Sequence, residues 1–205
     1  TEIDIHHRLL PKTSHLKSDP APLFAASRSL ADPRLRGLAP ADMVLHALVH
    51  LFLEGDPDEG LRLRDLLDVH DLLCHFGQEP GFWVGLGPRA HALGFERPLY
   101  YGLHHAQRLF ATPIPPDVLS GLEDAAPAWP IRALMNRLIP LALLPGHPDH
   151  PSRWATVARW LIYVRAHWVR MPPGLLAKHL SHKAWLRFRG FRKRVDLAQL
   201  DLKQQ

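Results

Sequence analysis

The hydrophobic pattern is densest between Pro40 and Glu54, where apolar side chains occupy almost every position. A helix that is apolar nearly all round normally lies in the middle of a domain. An acidic, glycine-containing turn follows, and residues 62–76 then combine charged and apolar side chains with helical spacing. Because a short connection favours antiparallel neighbours, we predict a helical hairpin over residues 41–76 around which the rest of the chain packs.

Two histidines interrupt the apolar first arm of this hairpin. His46 and His50 are four residues apart, so a helix places them one above the other on a single face. We expect that face to point either into the core, with both rings hydrogen-bonded, or into an aqueous pocket shared with Asp65 or Asp68 of the second arm.

An alternating pattern at the start of the chain predicts the one strand of the fold. Over residues 2–9, Ile3 and Ile5 share one face, while Glu2, Asp4 and His6 share the other. Carboxylates that project together from a strand are suited to a divalent metal, and they also suit a solvated surface.

The rest of the pattern is helical, with proline and glycine between the helices. We expect a short helix over residues 22–30 and an irregular stretch to residue 38. Further helices are predicted over residues 81–93, 97–110, 116–124, 130–144 (kinked by Pro140), 152–170 and 175–191. Gly94 is the predicted cap of the first of these, and the second has an apolar stripe of Leu99, Leu103, Ala106 and Phe110. With a linker at 145–151, the predicted fold is mainly α with one N-terminal strand. It divides into 1–10, a helical domain over 11–144, and a basic extension over 145–205.

The helix over residues 152–170 has a regular apolar stripe, which we predict to be its buried face. The stripe consists of Trp154, Val157, Ala158, Leu161, Val164 and Trp168. Arg165 lies near its centre, and a buried guanidinium needs a carboxylate or a phosphate partner. Either a structural ion pair, for example with Asp68, or a ligand meets that need.

The charge is unevenly distributed along the chain. The net charge is +5, yet residues 1–152 contain 13 basic and 18 acidic side chains, whereas residues 153–194 contain 11 basic side chains and no acidic ones. The last helix and the segment after it carry a basic surface formed by Lys178, Lys183, Arg187, Arg189, Arg192, Lys193 and Arg194. Such a surface indicates an acidic partner: a lipid headgroup, a nucleic acid, or an acidic protein surface that includes this chain's own acidic half.

Several classes of protein are disfavoured by what the sequence contains. Cys74 is the single cysteine, which rules out an internal disulfide and a cysteine-based zinc knuckle and fits a reducing compartment. No apolar run approaches the roughly 20 residues of a membrane span, and no signal peptide is recognisable. We therefore expect a cytoplasmic protein, soluble or peripheral to a membrane. No nucleophile elbow, dinucleotide fingerprint or P-loop occurs.

Several segments resemble, in their order and spacing, the uncharacterised bacterial nucleotidyltransferase-like family of the polymerase-β type. They are I-D-I-H-H-R-L-L, L-A-P-A-D-x-x-L-H-A-L-V-H, L-R-x-R-D-L-L-D, A-L-G-F-E-R-P-L-Y-Y-G-L and P-I-P. Residues 163–180 look like the C-terminal extension of its proteobacterial members. The resemblance extends over nearly the whole chain, and the order of the blocks is more specific than any one of them.

The resemblance implies transfer of a nucleotidyl group from a nucleoside triphosphate to an acceptor, with Mg²⁺. In that fold a Gly-Ser motif and a D-x-D pair are followed, on a later strand, by a third carboxylate, and together they hold two metal ions. Asp4 matches the third carboxylate, as a catalytic and metal-binding residue, and Glu2 is its nearest substitute. Neither a Gly-Ser motif nor a D-x-D pair precedes Asp4 in this sequence. We therefore expect the C-terminal, helical portion of a longer protein, inactive alone, with its strand left from the α/β core.

In such enzymes the helical half closes over the nucleotide and selects the acceptor. The candidate pocket residues that the resemblance points to are His6, His46, His50, Arg64, Asp68 and Arg165.

Two other functions remain open from the sequence. One is a non-catalytic interaction module that docks on a membrane, a nucleic acid or an acidic protein through its basic C-terminal helices. The other is an HD-type metal phosphohydrolase, because the adjacent His70 and Asp71 follow the hairpin histidines and precede Asp117 or Asp124. The residues that flank this pair do not resemble that family.

Overall fold

The structure is a computed structural model that describes residues 19–54, 62–144, 149, 152–170 and 172–186. Within these residues it is mainly α-helical, as predicted, with one two-stranded antiparallel sheet. The helices are α1 (Ala21–Ala26), α2 (Pro40–Val49), α3 (Leu63–Phe76), α4 (Phe82–Leu93), α5 (Glu96–Phe110), α6 (Pro116–Ser120), α7 (Trp129–Leu143), α8 (Arg153–Arg170) and α9 (residues 173–186). The strands are β1 (Arg28–Ser29) and β2 (Arg36–Gly37); a π-helix (His50–Glu54) continues α2, and a 3₁₀ turn (Glu123–Ala125) follows α6.

Two predicted elements cannot be compared with this structure. The strand over residues 2–9 and nearly all of the linker over residues 145–151 lie outside the described residues. The division of the chain into three parts stays a prediction.

The small sheet occupies a stretch for which the sequence predicted no strand. β1 and β2 pair antiparallel with Arg28 opposite Gly37, so the helix predicted over residues 22–30 was wrong in its second half. The turn between the strands is stabilised by Asp32, whose carboxylate accepts a hydrogen bond from the backbone N–H of Arg34 at 3.0 Å. Such an Asx turn offers the backbone an alternative to helix.

The first arm of the predicted hairpin is the centre of the core. Helix α2 contacts α3, α4 and α5, and its fully buried side chains are Val44, Leu45, Leu48 and Val49. The approach of α5 is so close that a Cβ on Gly102 would overlap the Cδ2 of Leu48. Glycine at this position therefore sets the distance between the two helices.

The end of this arm departs from the prediction of a regular α-helix. From His50 to Glu54 the chain forms a π-helix, in which the hydrogen bonds skip one residue more than in an α-helix. Its three consecutive residues Leu51, Phe52 and Leu53 are all buried. Neighbouring residues of a helix point in widely different directions, so this segment is enclosed on several sides, and α8 contacts it.

A buried ion pair connects the N-terminal elements to α4. The carboxylate of Asp42, which is 1% exposed, accepts two hydrogen bonds from the guanidinium of Arg89, at 2.6 and 2.8 Å. Arg89 also donates to the backbone carbonyl of Pro22 at 2.8 Å. The bidentate geometry satisfies both charged groups and ties α1, α2 and α4 together.

Helix α5 follows α4 after one tight turn at Gly94, the predicted cap. Its φ of 71° is in the left-handed region that glycine tolerates best. The predicted apolar stripe of α5 is confirmed, since Leu99, Leu103 and Ala106 are buried and Phe110 is half-buried.

Helix α8 forms where predicted, but it buries a different face. Of the predicted stripe Ala158 is buried, whereas the side chains of Trp154, Val157, Leu161 and Trp168 are exposed. The buried positions include Ala155, Ala158, Ile162 and Ala166, and α8 packs mainly on α7. Small side chains allow that close packing. Arg159 fixes the orientation by donating to the carbonyls of Ala142 and Leu144 at the end of α7.

Candidate functional site

The hairpin histidines do not face the core. His46 and His50 are both exposed, although their four-residue spacing does place them on a helical segment. Helices α3, α4 and α5 pack on α2, and the two rings lie outside these contacts. The expectation of two core histidines was therefore wrong, whereas an aqueous pocket shared with Asp65 or Asp68 stays a prediction.

The acids and bases of the second arm are also at the surface. Arg64 and Asp68 are exposed on α3, and Asp65 forms an ion pair with Arg62 at 3.2 Å. A role for His46, His50, Arg64 and Asp68 in ligand binding stays a prediction, now for an open surface. Glu2, Asp4 and His6 lie outside the described residues.

The basic surface of the C-terminal part is described only at two of its positions. Lys178 is exposed on α9, and the ammonium of Lys183 lies 5.0 Å from the ring centroid of Tyr163 on α8. The other five residues of this surface, from Arg187 to Arg194, lie outside the described residues.

Arg165 is partly buried, in a cleft between α5, α8 and the π-helix. The sequence predicted burial of this guanidinium. The cleft has a volume of about 140 Å³. Its apolar wall is formed by Phe52 and Leu53 of the π-helix, Pro98 of α5 and Val169 of α8. Arg165, Arg97 and Tyr101 provide its polar groups.

The guanidinium of Arg165 contacts Tyr101 rather than a carboxylate. Its central carbon lies 5.2 Å from the centroid of the Tyr101 ring, and one of its nitrogens is 3.5 Å from the hydroxyl oxygen. The first contact is a cation–π interaction and the second is a long hydrogen bond. The suggested ion pair with Asp68 was wrong.

The charges in the cleft act on one another. Burial lowers the pKa of the Arg165 guanidinium, and the positive charge of Arg97 acts in the same direction, while Tyr101 opposes them. Burial raises the pKa of the Tyr101 hydroxyl, an effect that the two arginine charges partly offset. These shifts show two cations held close to one phenol in a partly desolvated space.

The cleft opens beside a larger groove. Gly94 and Arg97 line both, and the groove extends along α4 and α6 past Trp83, Asp117 and Asp124, with a volume of about 950 Å³. A groove of that size accommodates a ligand as large as a nucleotide. Arg97 therefore lies where the large groove meets the small cationic cleft.

The HD-type alternative gains no support from the described residues. His70 shares a hydrogen bond of 2.8 Å with the hydroxyl of Thr112, and Asp71 is exposed on α3. Within the part of the chain that the structure describes, no three His, Cys, Asp or Glu side chains are grouped so that they could hold a metal ion.

Sequence reasoning identified Arg165 but missed its neighbours. Arg97 and Tyr101 belong to a predicted amphipathic helix, and Phe52 belongs to an apolar arm, so each reads as an ordinary helical residue. The signal that singled out Arg165, a cation within an apolar pattern, does not say which distant helix packs against it.

Comparison with known proteins decides the family. A family model described as an uncharacterised nucleotidyltransferase matches residues 1–111, more than half of the chain. The chain belongs to this nucleotidyltransferase family. The match confirms the resemblance for the segment that ends just after α5, so Arg97 and Tyr101 lie inside the family region and Arg165 lies beyond it. Searches of curated proteins and of solved structures find no match.

One property of this nucleotidyltransferase-family chain concerns membranes. Among the described helices, none combines the length and the apolar character that a bilayer span requires.

Proposed function

We propose that this chain takes part in nucleotidyl transfer, from a nucleoside triphosphate to an acceptor, with a divalent metal. The observation that carries the proposal is its membership of the nucleotidyltransferase family over residues 1–111. The geometry supports it with a groove large enough for a nucleotide, lined by Arg97 and by the carboxylates of Glu96, Asp117 and Asp124. The acceptor is not specified by these features.

The carboxylates of Asp4 and Glu2 are the residues that we assign to the metal. Carboxylate oxygens are the protein ligands that Mg²⁺ prefers, so the chemistry of this donor pair fits the ion. When bound, Mg²⁺ would offset the charge of the triphosphate and of the leaving pyrophosphate. In the described part, Arg97 lines the groove and would bind anionic oxygens of the nucleotide, and the half-buried ring of Trp83 would stack on its base.

Calorimetric titration of the chain with the magnesium complexes of ATP, GTP, CTP and UTP tests this proposal. We expect binding of at least one triphosphate, lost in Asp4→Ala. Asp71→Ala is the matched control, because it removes an exposed carboxylate that belongs to the HD-type alternative.

The outcomes separate the alternatives. Binding that persists in Asp4→Ala contradicts the role given to this carboxylate. A loss in Asp71→Ala alone would favour the HD-type reaction, and no binding of any triphosphate to a folded chain would contradict a nucleotide site here.

A second function is favoured by the exposed face of α8. Three tryptophans project from it, with exposed fractions of 74% for Trp154, 49% for Trp160 and 61% for Trp168. Their helix begins a segment of 42 residues, 153–194, that has 11 basic and no acidic side chains. Tryptophan favours the boundary between lipid and water, and basic residues attract anionic headgroups. We propose that this face docks on an anionic membrane surface.

Co-sedimentation with lipid vesicles tests the docking. The chain is expected to bind vesicles that contain phosphatidylglycerol and not pure phosphatidylcholine, and the double variant Trp154→Ser, Trp168→Ser should lose most of this binding. Trp129→Ser is the control, since this tryptophan is equally exposed but lies on α7. Unchanged binding of the double variant, or stronger binding to DNA than to vesicles, would count against a lipid partner.

A further inference from the structure

Arg165 is an unusual arginine because it is partly buried and its described contacts are with a phenol. Arg89, by comparison, has both oxygens of a carboxylate and a backbone carbonyl as acceptors. Within the described residues, no carboxylate lies within ion-pair distance of Arg165 or Arg97. Burying a guanidinium without an anion is costly, so a cleft that keeps one in place calls for a functional explanation.

The positive potential of the cleft has three sources. Arg165 comes from α8 and Arg97 from the first turn of α5, and the two repel each other. The third source is the N-terminus of α5, where Phe95 at the N-cap position supplies no side-chain cap and the backbone N–H groups of Glu96 and Arg97 have no intrahelical acceptor. The acidic side chain of this turn, Glu96, is paired with His91 at 2.7 Å, so the two arginines remain the charges available to an anion.

The size and the walls of the cleft restrict what that anion can be. A volume of about 140 Å³ corresponds to roughly five water-sized groups, which suffices for one phosphate or carboxylate with a short apolar stem. Phe52, Leu53 and Val169 offer the stem an apolar wall opposite the charges.

We propose that the cleft between α5, α8 and the π-helix binds the oxyanion group of a small molecule, a phosphate or a carboxylate, between Arg165 and Arg97. The hydroxyl of Tyr101 donates a further hydrogen bond to it. The apolar part of the ligand packs on the π-helix or extends past Arg97 into the larger groove. This inference does not depend on nucleotidyl transfer, since it follows from the charges and the cavity alone.

Calorimetry with three probes tests the site: inorganic phosphate, phenyl phosphate and benzoate. We expect phenyl phosphate to bind more tightly than inorganic phosphate because of the apolar wall, and comparison with benzoate distinguishes phosphate from carboxylate. Arg165→Met should weaken binding by about tenfold or more, as expected for loss of a charge-assisted hydrogen bond. Arg97→Met, at a more exposed position, should weaken it as well.

Arg153→Met is the matched control. It makes the same change of charge on the same helix at an exposed position about 18 Å away along the axis, and it should leave binding unchanged. Equal affinity in Arg165→Met and Arg153→Met would show that Arg165 has no special role in binding the anion and would overturn the proposal. So would the absence of binding for all three probes.

Thermal unfolding without ligand gives a second readout that a purely structural arginine would not share. Because methionine removes a partly buried charge that has no described carboxylate partner, Arg165→Met should unfold at the same temperature as the wild type or higher. Phenyl phosphate should raise the unfolding temperature of the wild type and not that of the variant. A variant that is less stable yet binds the probes normally would show that Arg165 serves the fold.

Discussion

Arg89 and Arg165 are both half-buried arginines in one helical fold, and their surroundings differ in kind. Arg89 is held by the two oxygens of Asp42 and joins α1, α2 and α4. Arg165 lies over the ring of Tyr101 where α8 meets α5. The first environment satisfies every charge and holds the fold together. The second leaves a positive charge available, which is costly for folding and useful for binding.

One turn after Tyr101, the same face of α5 carries a buried polar side chain without a described hydrogen-bond partner. His105 is fully buried, and neither of its ring nitrogens has a described hydrogen-bond partner. Its ring lies nearly parallel to that of Tyr101, with the centroids 6.5 Å apart. Polar groups are thus fully paired around Arg89 and incompletely paired along the Tyr101 face of α5. This difference can be tested at several positions.

The largest loss of stability is expected from breaking the ion pair between Asp42 and Arg89. Arg89→Met should lower the free energy of unfolding by about 3 kcal/mol or more, because it leaves the carboxylate of Asp42 buried without its partner. Urea denaturation measures the loss. The double variant Asp42→Leu, Arg89→Met should recover much of it, and a loss below about 1 kcal/mol in the single variant would contradict the importance of this pair.

A smaller effect is expected where α2 and α5 approach each other. Gly102→Ala places a methyl group against Leu48, and the repacking should cost about 1–3 kcal/mol. Gly85→Ala is the control, since a Cβ at that helical glycine meets nothing within 4 Å and alanine favours helix by about 1 kcal/mol. If both variants are stabilised, the two helices are less closely packed than the structure shows.

The unsatisfied histidine should make stability depend on pH. Burial lowers the pKa of His105 to about 3, and the charges of His104 and Arg108 act in the same direction. In the unfolded chain the ring takes up a proton near pH 6.5, but in the folded chain only near pH 3. Stability is therefore complete above about pH 6.5 and falls as the pH drops towards 3, by up to about 1.4 kcal/mol per pH unit from this group.

Comparison with two variants isolates this contribution. His105→Leu should flatten the dependence of the unfolding free energy on pH between 6.5 and 3, whereas His75→Gln, at an exposed position, should not. A parallel pH dependence of the wild type and His105→Leu would mean that the buried ring does not titrate as described.

Much of the helical fold was predictable, because its helices show regular spacing and clear end signals. Gly94 with its positive φ ended α4 as predicted, and the stripe that includes Leu99 and Leu103 is the buried face of α5. The face of α8 was not predictable in the same way. Its buried side uses alanines, which hydrophobicity ranks below the tryptophans, and the fit to α7 decided between the two.

Some features of the candidate site were predictable from the sequence and others were not. Arg165 could be identified, because a cation in an apolar pattern must be reconciled with its surroundings. The exposure of His46 and His50 could not be predicted, since an arm that is apolar nearly all round does not indicate which side is at the surface. Arg97 and Arg165 lie far apart in sequence, and only the packing of α8 on the π-helix brings them to the same cleft.

The π-helix also bears on how such a site could change during evolution. Its hydrogen-bond pattern accommodates one more residue than an α-helical segment would, so removal of a single codon within residues 50–54 could return it to α-helix. The shortened turn would change the directions in which its side chains point, and Phe52 and Leu53 would no longer both face the cleft. Helix α2 and its contacts would stay in place. One in-frame deletion is therefore a route by which related chains could exchange one ligand specificity for another while keeping the same core.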